Sequence, residues 1–165
     1  MTTKSGYASR PDLLPESLVR LAKEPGAAAT WVGRDGAHLL TLEEHLRVER
    51  ESLGAFPRRS DGTIDWSQSP DSVVSSTSAD STALAAQLDA LTPETDAFVV
   101  MWGSLAIPSI RVEAHTGALL ATELVSRSTE LWIRCGPGPM LVEYSYFNDT
   151  LVTAKVPIRD ARIPS

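Results

Sequence analysis

Two histidine–glutamate pairs are the residues best spaced for chemistry. His45 and Glu49 stand one helical turn apart, where an imidazole and a carboxylate can share a metal. A zinc site needs a third and fourth ligand, and His38, a strand away, does not complete the set. The pair reads as a solvated i, i+4 contact on an exposed helix face. His115 and Glu123 could meet across the Thr116 to Gly117 turn as an acid/base dyad, or form the wet face of a hairpin. Ser104, in Trp102, Gly103, Ser104, Leu105, Ala106, lacks the second glycine of a nucleophile elbow and reads as a loop serine. Gly33 to Gly36 is too short to cradle a phosphate, and Gly136 to Pro139 loses amide donors to proline, so no nucleotide motif is present. Asn148, Asp149, Thr150 is formally a glycosylation acceptor, with no export signal beside it. Cys135 is the single cysteine, which excludes an intramolecular disulfide and a thiolate zinc site. Beside Trp132 and Ile133 it reads as a buried, inert thiol. The expectation is no cofactor, no metal site, and a lean away from an enzyme.

The elements that would position these residues centre on 96–158. Ala97, Phe98, Val99, Val100, Met101 and Trp102 form an unbroken apolar run, which predicts a central strand covered on both faces. Ile110, Val112 and Ala114 alternate with Arg111, Glu113 and His115, the period of a strand with one wet face. Leu131, Ile133 and Cys135 begin a three-strand antiparallel meander, continued by Met140 to Phe147 and by Val152 to Ile158. Its first turn is Gly136, Pro137, Gly138, Pro139, a tetrad that neither strand should enter. Pro157 suggests an edge position for the last strand. The segment 118–125 fits helix or strand, and the reading leans to strand. Upstream, Leu18, Val19, Leu21 and Ala22 after Pro15 predict a short docking helix. A hairpin is predicted across Gly33 to Gly36. A helix from about Leu42 to Leu53 opens on the capping-box pair Thr41 and Glu44. Another helix is predicted over Ser81 to Leu91. The whole predicts one α+β domain over 1–165, with a mainly antiparallel sheet of about five to seven strands and about three helices on one face. Residues 1–10 read as frayed.

The charge of −6 is uneven: between Arg59 and Arg111 there is no Lys or Arg, while Asp61, Asp65, Asp71, Asp80, Asp89, Glu94 and Asp96 all fall there. Such a field repels nucleic acid and suits a basic protein partner. It also suits a solvated loop that only keeps the chain soluble. The Ser, Thr and Asp-rich stretch 57–80 reads as a long loop with Trp66 as its one large side chain. Trp66 is either an anchor presented to a partner or a pin holding the loop to the core, and the pin is the favoured reading. No apolar run is long enough for a bilayer and no leader pattern opens the chain, so no membrane partner and a cytoplasmic location are expected.

The run Val142, Glu143, Tyr144, Ser145, Tyr146, Phe147, an acidic turn, and then Val156 to Arg162 resembles the C-terminal half of small actinobacterial immunity proteins that neutralise polymorphic toxins. Ile110 to Val112 followed by Gly117, Ala118, Leu119 is similar to the strand and turn before it in that family. The resemblance implies a stoichiometric inhibitor without chemistry of its own and fixes no site residues. Two functions are therefore expected in turn. The first is a non-catalytic inhibitor or adaptor that engages a basic protein, a toxin if the resemblance holds, through an acidic surface at Asp61, Asp65, Trp66 and Asp71. The alternative is a cone-shaped small-molecule binder or cyclase/isomerase-like enzyme, its pocket lined by Trp102, Trp132 and Tyr144 with His115 as base.

Overall fold

An apolar run with no polar alternation must be covered on both sides, and the chain is arranged to do so. A computed structural model describes residues 6–68, 73–77, 79–117 and 120–157. In chain order the strands are β1 (Val19–Ala22), β2 (Thr30–Gly33), β3 (Ala37–Leu39), β4 (Val73–Thr77), β5 (Thr95–Trp102), β6 (Ile110–Glu113), β7 (Glu130–Pro137), β8 (Met140–Ser145) and β9 (Thr150–Lys155). The helices are α1 (Leu42–Glu51), α2 (Ser81–Leu91), α3 (Ala114–Gly117) and α4 (Ala121–Arg127). β1 and β2 form a small antiparallel pair, and the other strands make a 7-stranded sheet in the order β3-β6-β5-β7-β8-β9-β4. Every pairing in both sheets is antiparallel. The fold is α+β, with the β7-β8-β9 meander at the positions expected.

Strand alternation divides the sheet into two faces. Phe98, Val100 and Trp102 of β5, Leu131, Ile133 and Cys135 of β7, and Val142 and Tyr144 of β8 share one core with Leu84 and Leu88 of α2, Ala114 of α3, and Ala121 and Leu124 of α4. Three helices thus lie on one face. Met101, Leu141, Val152 and Ala154 point the other way, into a second core closed by Leu53, Phe56 and Ile64, with Val48 of α1, Trp66 and Trp132 packed against it. β5 lies between β6 and β7 with cores on both sides, which is why it carries no polar alternation.

Several local expectations change. Residues 19–22 form a strand, paired antiparallel with β2 from Val19–Gly33 to Ala22–Thr30, and Leu21, 53% exposed, does not join the buried stripe that a docking helix would need. The Gly33 to Gly36 reversal exists, with the Ala37 N–H donating to the Arg34 carbonyl at 2.9 Å and Gly36 at φ +80°. The strands on either side of it, however, pair with β1 and β6 rather than with each other. The segment leaning to strand becomes α4 after Leu120, since Leu120 and Leu124 are spaced to enter the same core together. Residues 118 and 119 lie outside the described residues. Stretch 57–80 has structure of its own: an Arg58–Ile64 bridge, a 3-10 turn at Trp66–Gln68, and β4 against β9. β9 is therefore an inner strand, and Pro157 lies just beyond it rather than marking a sheet edge. β7 enters the Gly-Pro tetrad as far as Pro137, where it pairs with Thr95. Of the segment expected to fray, residues 6–10 are docked, with Ala8 N–H on the Leu105 carbonyl at 2.9 Å and Arg10 N–H on the Ala106 carbonyl at 2.7 Å.

Candidate functional site

The acidic residues singled out in the sequence serve local turns. Asp61 accepts from Thr63 N–H at 3.0 Å and Thr63 Oγ1–H at 2.6 Å. Asp65 accepts from Ser67 N–H at 3.2 Å, Ser67 Oγ–H at 2.5 Å and Gln68 Nε2–H at 2.9 Å. The hydroxyl hydrogen bonds in particular hold both carboxyls below their usual range. Asp71 lies outside the described residues. Trp66 turns inward as the pin: its ring meets Phe56 edge-on at 4.9 Å between centroids, and its Nε1–H donates to Glu143 Oε1 at 2.8 Å.

The alternative pocket residues are divided between the faces. Trp102 and Tyr144 belong to the helix-covered core, Trp102 being buried with its Nε1–H on the Pro108 carbonyl at 3.1 Å. Trp132 packs against the opposite core. His115 is 73% exposed and 3.3 Å from Glu113, while Glu123 accepts from Ser17 at 2.7 Å. The four-residue pocket with His115 as base is therefore not assembled, because strand alternation sends Trp132 and Tyr144 to opposite faces of the sheet.

What the fold does assemble is a recess at the Glu143 end of the second face. Trp132, Glu143 and Val152 are cross-strand neighbours on β7, β8 and β9. The loop holding Thr63, Ile64 and Trp66 folds over them, leaving a cavity of about 260 Å³ that Arg59 and Glu130 also line. Glu143 is clamped there: Trp66 donates to one carboxylate oxygen and Trp132 Nε1–H to the other, each at 2.8 Å. A carboxylate has about four acceptor sites, so two remain for a further donor. The lining carries two carboxylates, Glu130 and Glu143, against the guanidinium of Arg59, which is 53% exposed and 3.9 Å from Asp65. The turn after β8 forms one rim through Ser145 and Asn148, and carries Tyr146 and Phe147, 63% and 75% exposed and in edge contact at 5.8 Å. The sequence placed Trp66 in the acidic loop and Trp132 in a different pocket, and gave Glu143 no role beyond its place in the Val142 to Phe147 run. No short-range signal pairs Glu143 with Trp66, 77 positions away.

The His45 and Glu49 pair belongs to a second cluster, whose third member, Ser109, the sequence did not mark. His45 is buried rather than solvated, its Nδ1 2.8 Å from the hydroxyl of Ser109 and its Nε2 3.0 Å from Glu49. Among the described residues, no group of three or more His, Cys, Asp or Glu is placed to hold a metal ion, and no helix is long and apolar enough to cross a membrane.

No family model matches the chain, and no curated protein matches it.

Proposed function

We propose that the protein is a binding protein, of inhibitor or adaptor type, that takes a cationic side chain of a basic protein partner into the Trp66, Trp132 and Glu143 recess. The observation that carries this reading is the carboxylate of Glu143 held between two indoles in a half-enclosed cavity. A guanidinium or ammonium group gains there from the aromatic walls and from a charge-assisted hydrogen bond to the free carboxylate positions. The cavity volume, about 260 Å³, falls below the ~300–1,000 Å³ of typical small-molecule sites, so one inserted side chain fits better than a free metabolite. The exposed Tyr146 and Phe147 beside the rim are the residue types that anchor protein interfaces. The immunity-like strand motif, Val142 to Phe147, supplies both Glu143 and this aromatic pair. In this reading the contact is the recess rather than the Asp61 to Asp71 surface.

Calorimetric titration with an arginine-rich peptide tests it. Binding should be lost at high salt, and Glu143→Gln should weaken it by about tenfold or more, as expected for loss of a charged hydrogen bond. Equal affinity of Glu143→Gln and the native chain would overturn the reading.

A further inference from the structure

Ser109, His45 and Glu49 form a contiguous relay at the junction of α1 with the start of β6. The Ser109 hydroxyl is 2.8 Å from His45 Nδ1, while the buried His45 Nε2 makes no aligned hydrogen bond and has a Glu49 carboxylate oxygen 3.0 Å away as a close ionic contact. A carboxylate beside Nε2 favours the proton on that nitrogen and leaves Nδ1 free to accept from serine. This is the order nucleophile, base, orienting acid that activates serine hydroxyls, with the two ring nitrogens exchanged relative to the usual serine hydrolase. Ser109 and His45 are 1% and 4% exposed, so the relay is covered. Part of the cover is Tyr7. Its ring lies on the imidazole at 4.9 Å, its hydroxyl accepts from Ser109 N–H at 3.2 Å, and it donates to the Leu40 carbonyl at 2.9 Å. The nucleophile's own N–H is the donor that would bind an oxyanion in acyl transfer, and here the tyrosine hydroxyl occupies it.

We propose that Ser109 is a masked nucleophile for carboxylic esters, with His45 as general base, Glu49 as the positioning residue and Tyr7 as the removable cover. With Tyr7 displaced, Ser109 Oγ attacks the ester carbonyl carbon while its proton passes to His45 Nδ1. The C–O bond to the alcohol then breaks, and the alcohol leaves with that proton. Water, deprotonated by the same nitrogen, attacks the acyl-serine to release the carboxylic acid and restore Ser109. This chemistry is separate from the recess at Glu143 and does not depend on it.

The test is the rate of covalent labelling by a fluorophosphonate, read by intact mass and peptide mapping. Tyr7→Ala should label at Ser109 faster than the native chain, and Ser109→Ala in the same background should not label. His45→Gln added to Tyr7→Ala should lower the rate about 100-fold, within the usual range for a general base. Tyr7→Phe keeps the ring on His45 and frees only the Ser109 N–H, so it should label at an intermediate rate. Absence of Ser109 labelling in whichever of the two Tyr7 variants keeps the native circular dichroism overturns the proposal. A rate unaffected by His45→Gln overturns it as well, since a purely structural network would give no such dependence.

Discussion

Glu143 is half-buried and accepts one hydrogen bond from each of two indoles, so its removal strands two donors at once. Leaving a buried donor unpaired costs about 1–3 kcal/mol, and Glu143→Ala should fall in that range in urea unfolding. Glu143→Gln should cost less, because the amide keeps one acceptor for one indole. Cys135 gives a second residue-scale prediction. Burial pushes its thiol up to about 12, and the thiolate is the reactive form. It should therefore resist iodoacetamide in the native protein at neutral pH and react on unfolding. Modification of the native chain at the rate of a free thiol would contradict the packing described. The inert thiol was readable from its neighbours Trp132 and Ile133 on an alternating strand. Ser109 was not, because its partner His45 lies 64 positions away and nothing in the residues around Ser109 marks it.

Helix α1 shows what local signals can specify. Thr41 accepts from Glu44 N–H at 3.2 Å and donates its own N–H to Glu44 Oε1 at 3.0 Å, the reciprocal cap that the sequence spacing predicts. Thr41→Ala should destabilise by about 1 kcal/mol in chemical denaturation. The hydrogen bond from the Thr41 N–H, with His38 second, lowers the Glu44 carboxyl from its ordinary 4.5 to about 2. The folded chain then holds its carboxylate where the unfolded chain has already bound a proton. The cap's contribution is thus present above pH 4.5 and is lost as pH falls from 4.5 to 2. Glu44→Gln should flatten that part of the stability profile, and an unchanged acid limb would contradict the assignment. Other elements depended on distant partners. β4 is paired by β9, from the far end of the described chain, and α4 is settled by packing on α2 and the sheet. For such segments sequence periodicity fits two answers, and tertiary contacts decide. Leu124→Ala, at a residue 1% exposed, should cost about 2–5 kcal/mol.

At the scale of the whole molecule, the sheet separates two jobs. One face is sealed by α2, α3 and α4 over the larger core. The other is covered by α1 and the Leu53 to Gln68 segment, and this cover leaves the Glu143 recess open at its edge. Charge composition pointed to a basic partner, but only the folded chain shows that Asp61 and Asp65 are occupied in turns while Glu143 is presented between aromatics. The chain's four tryptophans allow a direct test, since Trp66 and Trp132 line the recess while Trp31 and Trp102 lie elsewhere. The measurement is a titration of the four indole N–H resonances by nuclear magnetic resonance, first with an arginine-rich peptide and then with a glutamate-rich one. The account predicts that the arginine-rich peptide moves the Trp66 and Trp132 signals together and leaves the Trp31 and Trp102 signals in place. The glutamate-rich peptide should move none. Unmoved Trp66 and Trp132 signals at saturating arginine-rich peptide, or equal shifts at all four indoles, would contradict it.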